Sequence, residues 1–165
     1  APMVRLVGGM AQLMAGFDFG VCIDAPFGSG MCPDDSKPPN FLHLPIPVGS
    51  TNGLQLILDN YPMYQHMMRL NASKHFAIVT DDNSDVSAAT FTAGVGAWDL
   101  ALWGRWFYHG IFAFTMCPDA AAVSTVHQEL VDQTGGVAGD LCTQQFDPVF
   151  EALAMNGLPW HVKDL

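Results

Sequence analysis

The chain has 165 residues, of which 50% are hydrophobic and 13% are charged, and this composition indicates a single folded domain with a sizeable core. Sixteen acidic residues against six basic residues give a formal net charge of −10, which argues against nucleic acid or an anionic membrane surface as a partner and favours cation binding. No apolar run approaches the roughly 18–20 residues of a membrane span, and the first residues do not form a convincing signal peptide.

The first part of the chain is predicted to be rich in irregular structure. Apolar residues at helical spacing predict a helix over 4–15, despite Gly8 and Gly9, and a strand is predicted over 17–23. Residues 24–49 contain six prolines and are predicted to form a long loop that is either functional or fastened by a disulfide. A helix with an N-terminal cap in 49–52 is predicted over 54–61.

The rest of the chain alternates predicted strands with predicted helices. Short apolar runs predict strands over 76–80, 109–116 and 137–142, and helical spacing predicts helices over 87–100, 120–133 and 146–153. Asp85 or Ser87 is the expected cap of the first of these helices, and Gly135 and Gly136 are expected to end the second. Three tryptophans and Phe107 surround a predicted turn at Gly104, where packing of a helix onto the sheet is the favoured interpretation. This alternation predicts an α/β fold with a parallel sheet.

The cysteines fall into two couples that are local in sequence, Cys22 with Cys32 and Cys117 with Cys142. Four cysteines allow three pairings, but none forms a C-x-x-C pair and no histidine lies at a zinc-finger spacing from them. We therefore expect two disulfides in an exported protein, whether periplasmic, cell-surface or secreted, with free buried thiols as the alternative.

Acidic side chains follow the predicted strand at 76–80. Asp81, Asp82 and Asp85 lie within five residues of one another, together with Asn83 and Ser84. Ligands of open α/β sheets bind beyond the carboxyl ends of the strands, and oxygen ligands at such a place suit Mg²⁺, Mn²⁺ or Ca²⁺. The alternative is that one of these side chains only caps the following helix.

Three stretches together resemble the von Willebrand factor type A (vWA) domain, in particular vWA-like domains of exported bacterial proteins. They are the apolar strand that runs into Asp81, the stretch 49–54 that precedes a helix, and the stretch 129–136 that ends in Thr-Gly-Gly. The resemblance covers about 5–154 and implies a three-layer fold, with an open, mostly parallel sheet and helices on both faces. It also implies a metal-ion-dependent adhesion site that contains Asp81 and Thr51, with Ser50, Asp82 and Asp85 as nearby substitutes.

The family's Asp-x-Ser-x-Ser motif, at the end of its central first strand, does not occur in this sequence. The chain therefore resembles a vWA domain that lacks this strand, and the implied site loses three of its usual ligands. Loss of a central strand leaves unpaired sheet edges, which are costly. The sheet is expected to re-pair, to receive a strand from a partner chain, or to be completed in a homodimer.

Binding is the leading functional hypothesis. The resemblance implies an adhesion module in which one divalent ion, positioned by Asp81 and Thr51, engages an acidic group of a protein or other ligand. The alternative is a metal-dependent hydrolase of esters or phosphoesters that uses the same acids, with His75, His109 or His43 as proton carrier or Ser84 as nucleophile. His109 is expected to begin a strand and so to lie at the opposite end of the sheet from Asp81. A structural fragment whose sheet is completed by another chain is a third possibility.

Overall fold

A computed structural model describes residues 3–8, 41–70 and 72–157 of the chain. The predicted strand at 17–23, the Cys22–Cys32 pair and most of the predicted loop at 24–49 lie outside these residues.

Two strands in the first part of the chain form a parallel pair: β1 spans Met3–Gly8 and β2 spans Phe41–Val48. The prediction of a helix is wrong over β1. Val4 and Leu6 fit the two-residue period of a strand as well as a helical one, and Gly8 disfavours a helix.

The prediction of irregular structure is likewise wrong over β2. The even-numbered residues of this strand are all hydrophobic; Leu44 is only 3% exposed and belongs to the main core, and Leu42 and Ile46 pack against it. The prolines at 45 and 47 remove two main-chain donors but hold φ in a range that an extended strand tolerates. Proline content therefore concealed the strand at the end of the predicted loop.

A second, three-stranded parallel sheet has the order β3-β4-β5. Its strands are β3, Lys74–Val79; β4, Trp106–Phe112; and β5, Ala138–Asp140. The register pairs Ala77 with His109, and Ile111 with Gly139. This small open parallel sheet with its connecting helices confirms the coarse α/β prediction.

The connecting helices lie close to their predicted positions. They are α1, Gly53–Asp59; α2, Tyr61–Tyr64; α3, Ala88–Gly96; α4, Leu100–Trp103; α5, Thr125–Thr134; and α6, Asp147–Gly157. Ser87 caps α3 by accepting a hydrogen bond from the Thr90 N–H at 3.1 Å. The helix predicted over 87–100 is interrupted because the Asp99 carboxylate accepts from the Ala101 N–H at 2.8 Å and starts α4. Gly135, at φ 67°, ends α5 as predicted.

The two faces of the second sheet have different surroundings. Phe76, Tyr108 and Phe112 point to one face, where Tyr108 contacts Phe91 of α3 and His127 of α5. A Cβ at Gly139 would contact Val149 of α6, so this helix lies on the opposite face. Helices therefore lie on both faces.

The three tryptophans near the predicted turn pack around Phe76 rather than around Gly104. Ring centroids lie 5.3 Å from Phe76 for Trp103, 5.6 Å for Trp106 and 6.5 Å for Trp98. Phe107, which sequence proximity placed with them, lies on the other face because neighbouring strand residues alternate. The cluster is part of the core, in agreement with the favoured interpretation.

Candidate functional site at the carboxyl edge of the sheet

The loop that follows β3 is built from hydrogen bonds between short side chains and the main chain. The Thr80 hydroxyl accepts from the Asp82 N–H at 3.2 Å, and an Asp82 carboxylate oxygen accepts from the Asn83 N–H at 2.8 Å. The Ser84 hydroxyl accepts from the Val86 N–H at 3.1 Å. These bonds satisfy main-chain N–H groups that have no neighbouring strand to accept them. Asp, Asn and Ser suit such a turn because their short side chains reach the nearby main chain.

One contact brings two predicted ligands together across 34 residues. The Thr51 hydroxyl donates to Oδ2 of Asp85 at 2.6 Å. The Asp85 N–H donates to the Thr51 carbonyl at 3.1 Å, and the Ser84 hydroxyl donates to the same carbonyl at 3.4 Å. The loop before α1 and the loop after β3 are therefore held together at the carboxyl edge of the sheet.

The other predicted ligands are placed differently. Ser50 is exposed, and Gly49 donates its N–H to the Asn52 side chain at 2.8 Å, so Asn52 closes this loop rather than capping α1 with its side chain. The Asp81 side chain is exposed, while its carbonyl accepts from the N–H of Ala121 at 2.7 Å. Asp81 is thus anchored by its main chain, with its carboxylate facing solvent.

Asn83 has a role that the sequence did not reveal. Its Oδ1 accepts from the Val126 N–H at 3.1 Å, and its Nδ2 donates to the Thr125 hydroxyl at 3.2 Å. The Ser124 hydroxyl donates to the Asp82 carbonyl at 2.9 Å. Asn83 therefore satisfies a free donor in the first turn of α5 and ties the acidic loop to the next helix.

The carboxyl end of β5 is fixed by a carboxylate and a disulfide. Oδ1 of Asp140 accepts from the N–H groups of Cys142 at 3.0 Å and Phe114 at 3.3 Å. Cys117 and Cys142 form a disulfide with their Cα atoms 5.8 Å apart, which confirms the predicted pair. The segments after β4 and β5 are thereby joined covalently.

The donor chemistry of this edge suits a hard cation, although its carboxylates are not grouped closely. Within the described part of the chain, no three His, Cys, Asp or Glu side chains are close enough together to hold a metal ion. Mg²⁺ needs only one or two carboxylates, because water and hydroxyl oxygens complete its shell. Of the predicted ligands, Thr51 and Asp85 are in direct contact and Ser84 bonds to the Thr51 carbonyl, whereas the Asp81 carboxylate is exposed to solvent.

Two histidines form a pair that sequence reasoning did not find. Nδ1 of His75 on β3 lies 2.9 Å from Nε2 of His109 on β4, and Phe107 stacks on His75 at 5.1 Å. The sequence shows only that each histidine lies in or directly before one of two predicted strands. Whether the two side chains share a face of the sheet depends on the strand register, which the sequence does not give. Because β4 begins at Trp106, His109 lies within the strand and not at its start, so that prediction was wrong.

Hydrogen bonding determines the tautomers of this pair. Val137 donates its N–H to Nδ1 of His109 at 2.9 Å, so the proton of neutral His109 lies on Nε2. His109 therefore donates to Nδ1 of His75, and the proton of neutral His75 lies on Nε2. Nε2 of His109 is a donor and not a metal ligand in this arrangement. Burial and the neighbouring His75 lower the pKa of His109 to about 4, and burial and Arg105 lower the pKa of His75.

A second buried imidazole lies on the face of the sheet that α3 and α5 cover. His127 of α5 is 2% exposed, and its Nδ1 lies 2.8 Å from the hydroxyl of the fully buried Tyr108. Burial lowers the pKa of His127 to about 4 and raises the pKa of Tyr108. Both groups are therefore neutral near pH 7, and the pair satisfies two polar groups inside the core.

Comparison of the chain with known protein families, with curated proteins and with solved structures found no match. In the part of the chain that the structure describes, every helix is too short or too polar to cross a bilayer.

Proposed function

We propose that this chain is a vWA-like binding module of an exported protein, which engages an acidic partner group through one divalent cation at the carboxyl edge of its sheet. The observation that carries the proposal is the 2.6 Å contact between the Thr51 hydroxyl and the Asp85 carboxylate. It gathers oxygen donors from two distant segments at the edge where ligands of open α/β sheets bind.

The charge of the protein favours a bridging cation, rather than a basic side chain of the protein, as the group that binds an acidic partner. With a formal net charge of −10, the protein repels an acidic partner unless a bridging cation makes the electrostatic potential at the site positive. Asp81, Asp85 and Thr51 would hold the ion, and a bound cation supplies a positive charge to which a carboxylate of the partner can coordinate. Thr51 is already oriented by its bond to Asp85, which lowers the entropic cost of assembling the site.

The positions of the histidines favour binding over hydrolysis. His75 and Asp81 lie six positions apart along one extended segment, which corresponds to about 20 Å. His75 therefore lies too far from the carboxyl edge to carry protons for a metal-bound water there, and His109 is paired with His75 at 2.9 Å. The Cys117–Cys142 disulfide supports an oxidising compartment and thus export.

Thermal unfolding with Mg²⁺, Mn²⁺ or Ca²⁺ tests the proposal. An ion at ten times its Kd adds about 1.4 kcal/mol to the free energy of unfolding, equivalent to a rise in Tm of about 4 °C in a domain of this size. Asp81→Ala should abolish the rise, and Thr51→Val should reduce it.

The matched control is Asp132→Ala, which removes an exposed carboxylate on α5 and should leave the rise intact. Absence of a rise with all three ions would refute the proposal. An equal loss in Asp132→Ala would show that the ions act on the net charge and not at this site.

A further inference from the structure

Strand β3 leaves one edge of the second sheet open. Its only strand neighbour among the described residues is β4, since β1 and β2 form a separate pair. The Lys74 N–H donates to the Arg105 carbonyl at 3.2 Å, and the Thr80 N–H donates to the Ile111 carbonyl at 3.1 Å. Even-numbered residues of β3 thus direct their main-chain groups towards β4.

The odd-numbered residues of β3 consequently direct their main-chain groups away from the sheet. These residues are His75, Ala77 and Val79, and no hydrogen bond links their N–H groups to another described residue. All three are exposed, and Val79 has 46% of its surface accessible. Among the described residues, therefore, nothing pairs with this row of main-chain donors and acceptors, and the residues that carry it are exposed.

Within the described part of the chain, the sequence and pairing of β3 lack the features by which proteins block strand addition. β3 contains no proline, pairs with β4 without a register shift, and extends over six residues. Its one lysine, Lys74, is 6% exposed and donates to the Ala72 carbonyl at 2.8 Å. Its charge is therefore not placed at the edge, where it would hinder pairing with another strand. β2, by contrast, carries two prolines.

We propose that the open edge of β3 pairs with β3 of a second copy of this chain, antiparallel and centred on Ala77. Only this register pairs all three outward-facing residues: Ala77 lies opposite its own copy, and His75 lies opposite Val79 in both directions. Each of these pairs exchanges both main-chain hydrogen bonds. The contact is the same on both copies, which is the requirement for a twofold dimer.

Charge favours a second copy in the antiparallel direction. The N-terminal end of β3 is basic because the exposed Arg69 lies beside it: the buried Lys74 ammonium donates to the Arg69 carbonyl. The C-terminal end runs into Asp81 and Asp82. Antiparallel pairing places the basic end of each strand beside the acidic end of the other, so opposite charges meet twice within a protein of net charge −10. The pairing requires no bound cation and is independent of the function proposed above.

Sedimentation velocity at about 100 μM protein tests the dimer directly. The proposal predicts a mass of twice 17.8 kDa, and a mass of 17.8 kDa would overturn it. Val79→Lys should raise the dimer Kd about tenfold or more, because the change acts twice in a symmetric interface. Met63→Lys is the matched control, since Met63 is 50% exposed on α2. Equal dimerisation of the two variants would also overturn the proposal.

Cysteine crosslinking tests the register. In Ala77→Cys, the two copies of residue 77 would have Cα atoms about 5.5 Å apart, which lies within the range of a disulfide. In Val79→Cys, the two copies of residue 79 would lie about 14 Å apart, which no disulfide spans. Oxidation should crosslink the first variant and not the second, and the reverse result would refute this register.

Hydrogen exchange identifies what covers the edge. The amides of His75, Ala77 and Val79 should become protected as the protein concentration rises, while those of Phe76 and Ile78 are protected throughout by β4. Protection of the first three in a dilute monomer would overturn the proposal and assign the edge to a segment of the same chain. A dimer in which these amides stay unprotected would equally refute it.

Discussion

Acidification from pH 7 to pH 5 should strongly destabilise the folded protein, because two core imidazoles stay neutral when folded and become charged when the chain unfolds. His109 is 1% exposed and His127 is 2% exposed, and burial lowers the pKa of each from 6.5 to about 4. A group whose pKa is lower in the folded state contributes its full stability above pH 6.5 and loses it as pH falls towards 4.

The size of the effect follows from these pKa values. At pH 5 an unfolded histidine is almost fully protonated and each of the two buried ones is mostly neutral, so each contributes a loss of about 2 kcal/mol. Together they remove about 4 kcal/mol from a total that is typically 5–15 kcal/mol. Protonation of surface carboxylates acts in the opposite direction, because it relieves the repulsion of a net charge of −10.

Urea unfolding followed by tryptophan fluorescence at pH 7 and pH 5 measures this loss. The double variant Tyr108→Phe/His127→Phe replaces both members of one buried pair with apolar rings, and its loss should be smaller by about 2 kcal/mol. His66→Gln changes an exposed histidine and should behave as the wild type. An unchanged free energy of unfolding at pH 5, or an equal loss in the double variant, would refute the reasoning.

Three further predictions concern single features of the fold. His75→Asn keeps an acceptor where Nδ1 of His75 lies and should preserve the free energy of unfolding at pH 7. His75→Leu leaves the buried Nε2–H of His109 unpaired and should lower that free energy by about 1–3 kcal/mol in urea unfolding. Equal free energies of unfolding for the two variants would contradict the assigned tautomers. Replacing Cys117 and Cys142 with serine opens a link across 25 residues and should lower the free energy of unfolding by about 3.5 kcal/mol in urea without reductant; an unchanged free energy would contradict this contribution. Gly136→Ala would force a Cβ into the Tyr108 carbonyl of β4 and should lower Tm sharply. In Gly96→Ala the new Cβ meets no atom within 4 Å, so this variant should raise Tm slightly. Similar Tm values for the two variants would argue against this packing.

Some parts of the fold are encoded locally, and these could be predicted from the sequence. The positive φ of Gly135 that ends α5, the capping bond of Ser87 and the apolar run of β3 depend on neighbouring residues. The nearness in sequence of Cys117 and Cys142 likewise predicted their disulfide. Errors arose where one pattern fits two structures: a short apolar run with glycines predicted a helix over β1, and prolines concealed β2.

The candidate site was predicted in composition but not in arrangement. The sequence by itself determined that oxygen donors follow β3, since Asp81, Asp82 and Asp85 are adjacent to a recognisable strand. Only the tertiary structure decided that Thr51 bonds to Asp85 across 34 residues and that His75 meets His109 across two strands. Strand register and the packing of separate loops depend on the whole core, and no local pattern of side chains specifies them.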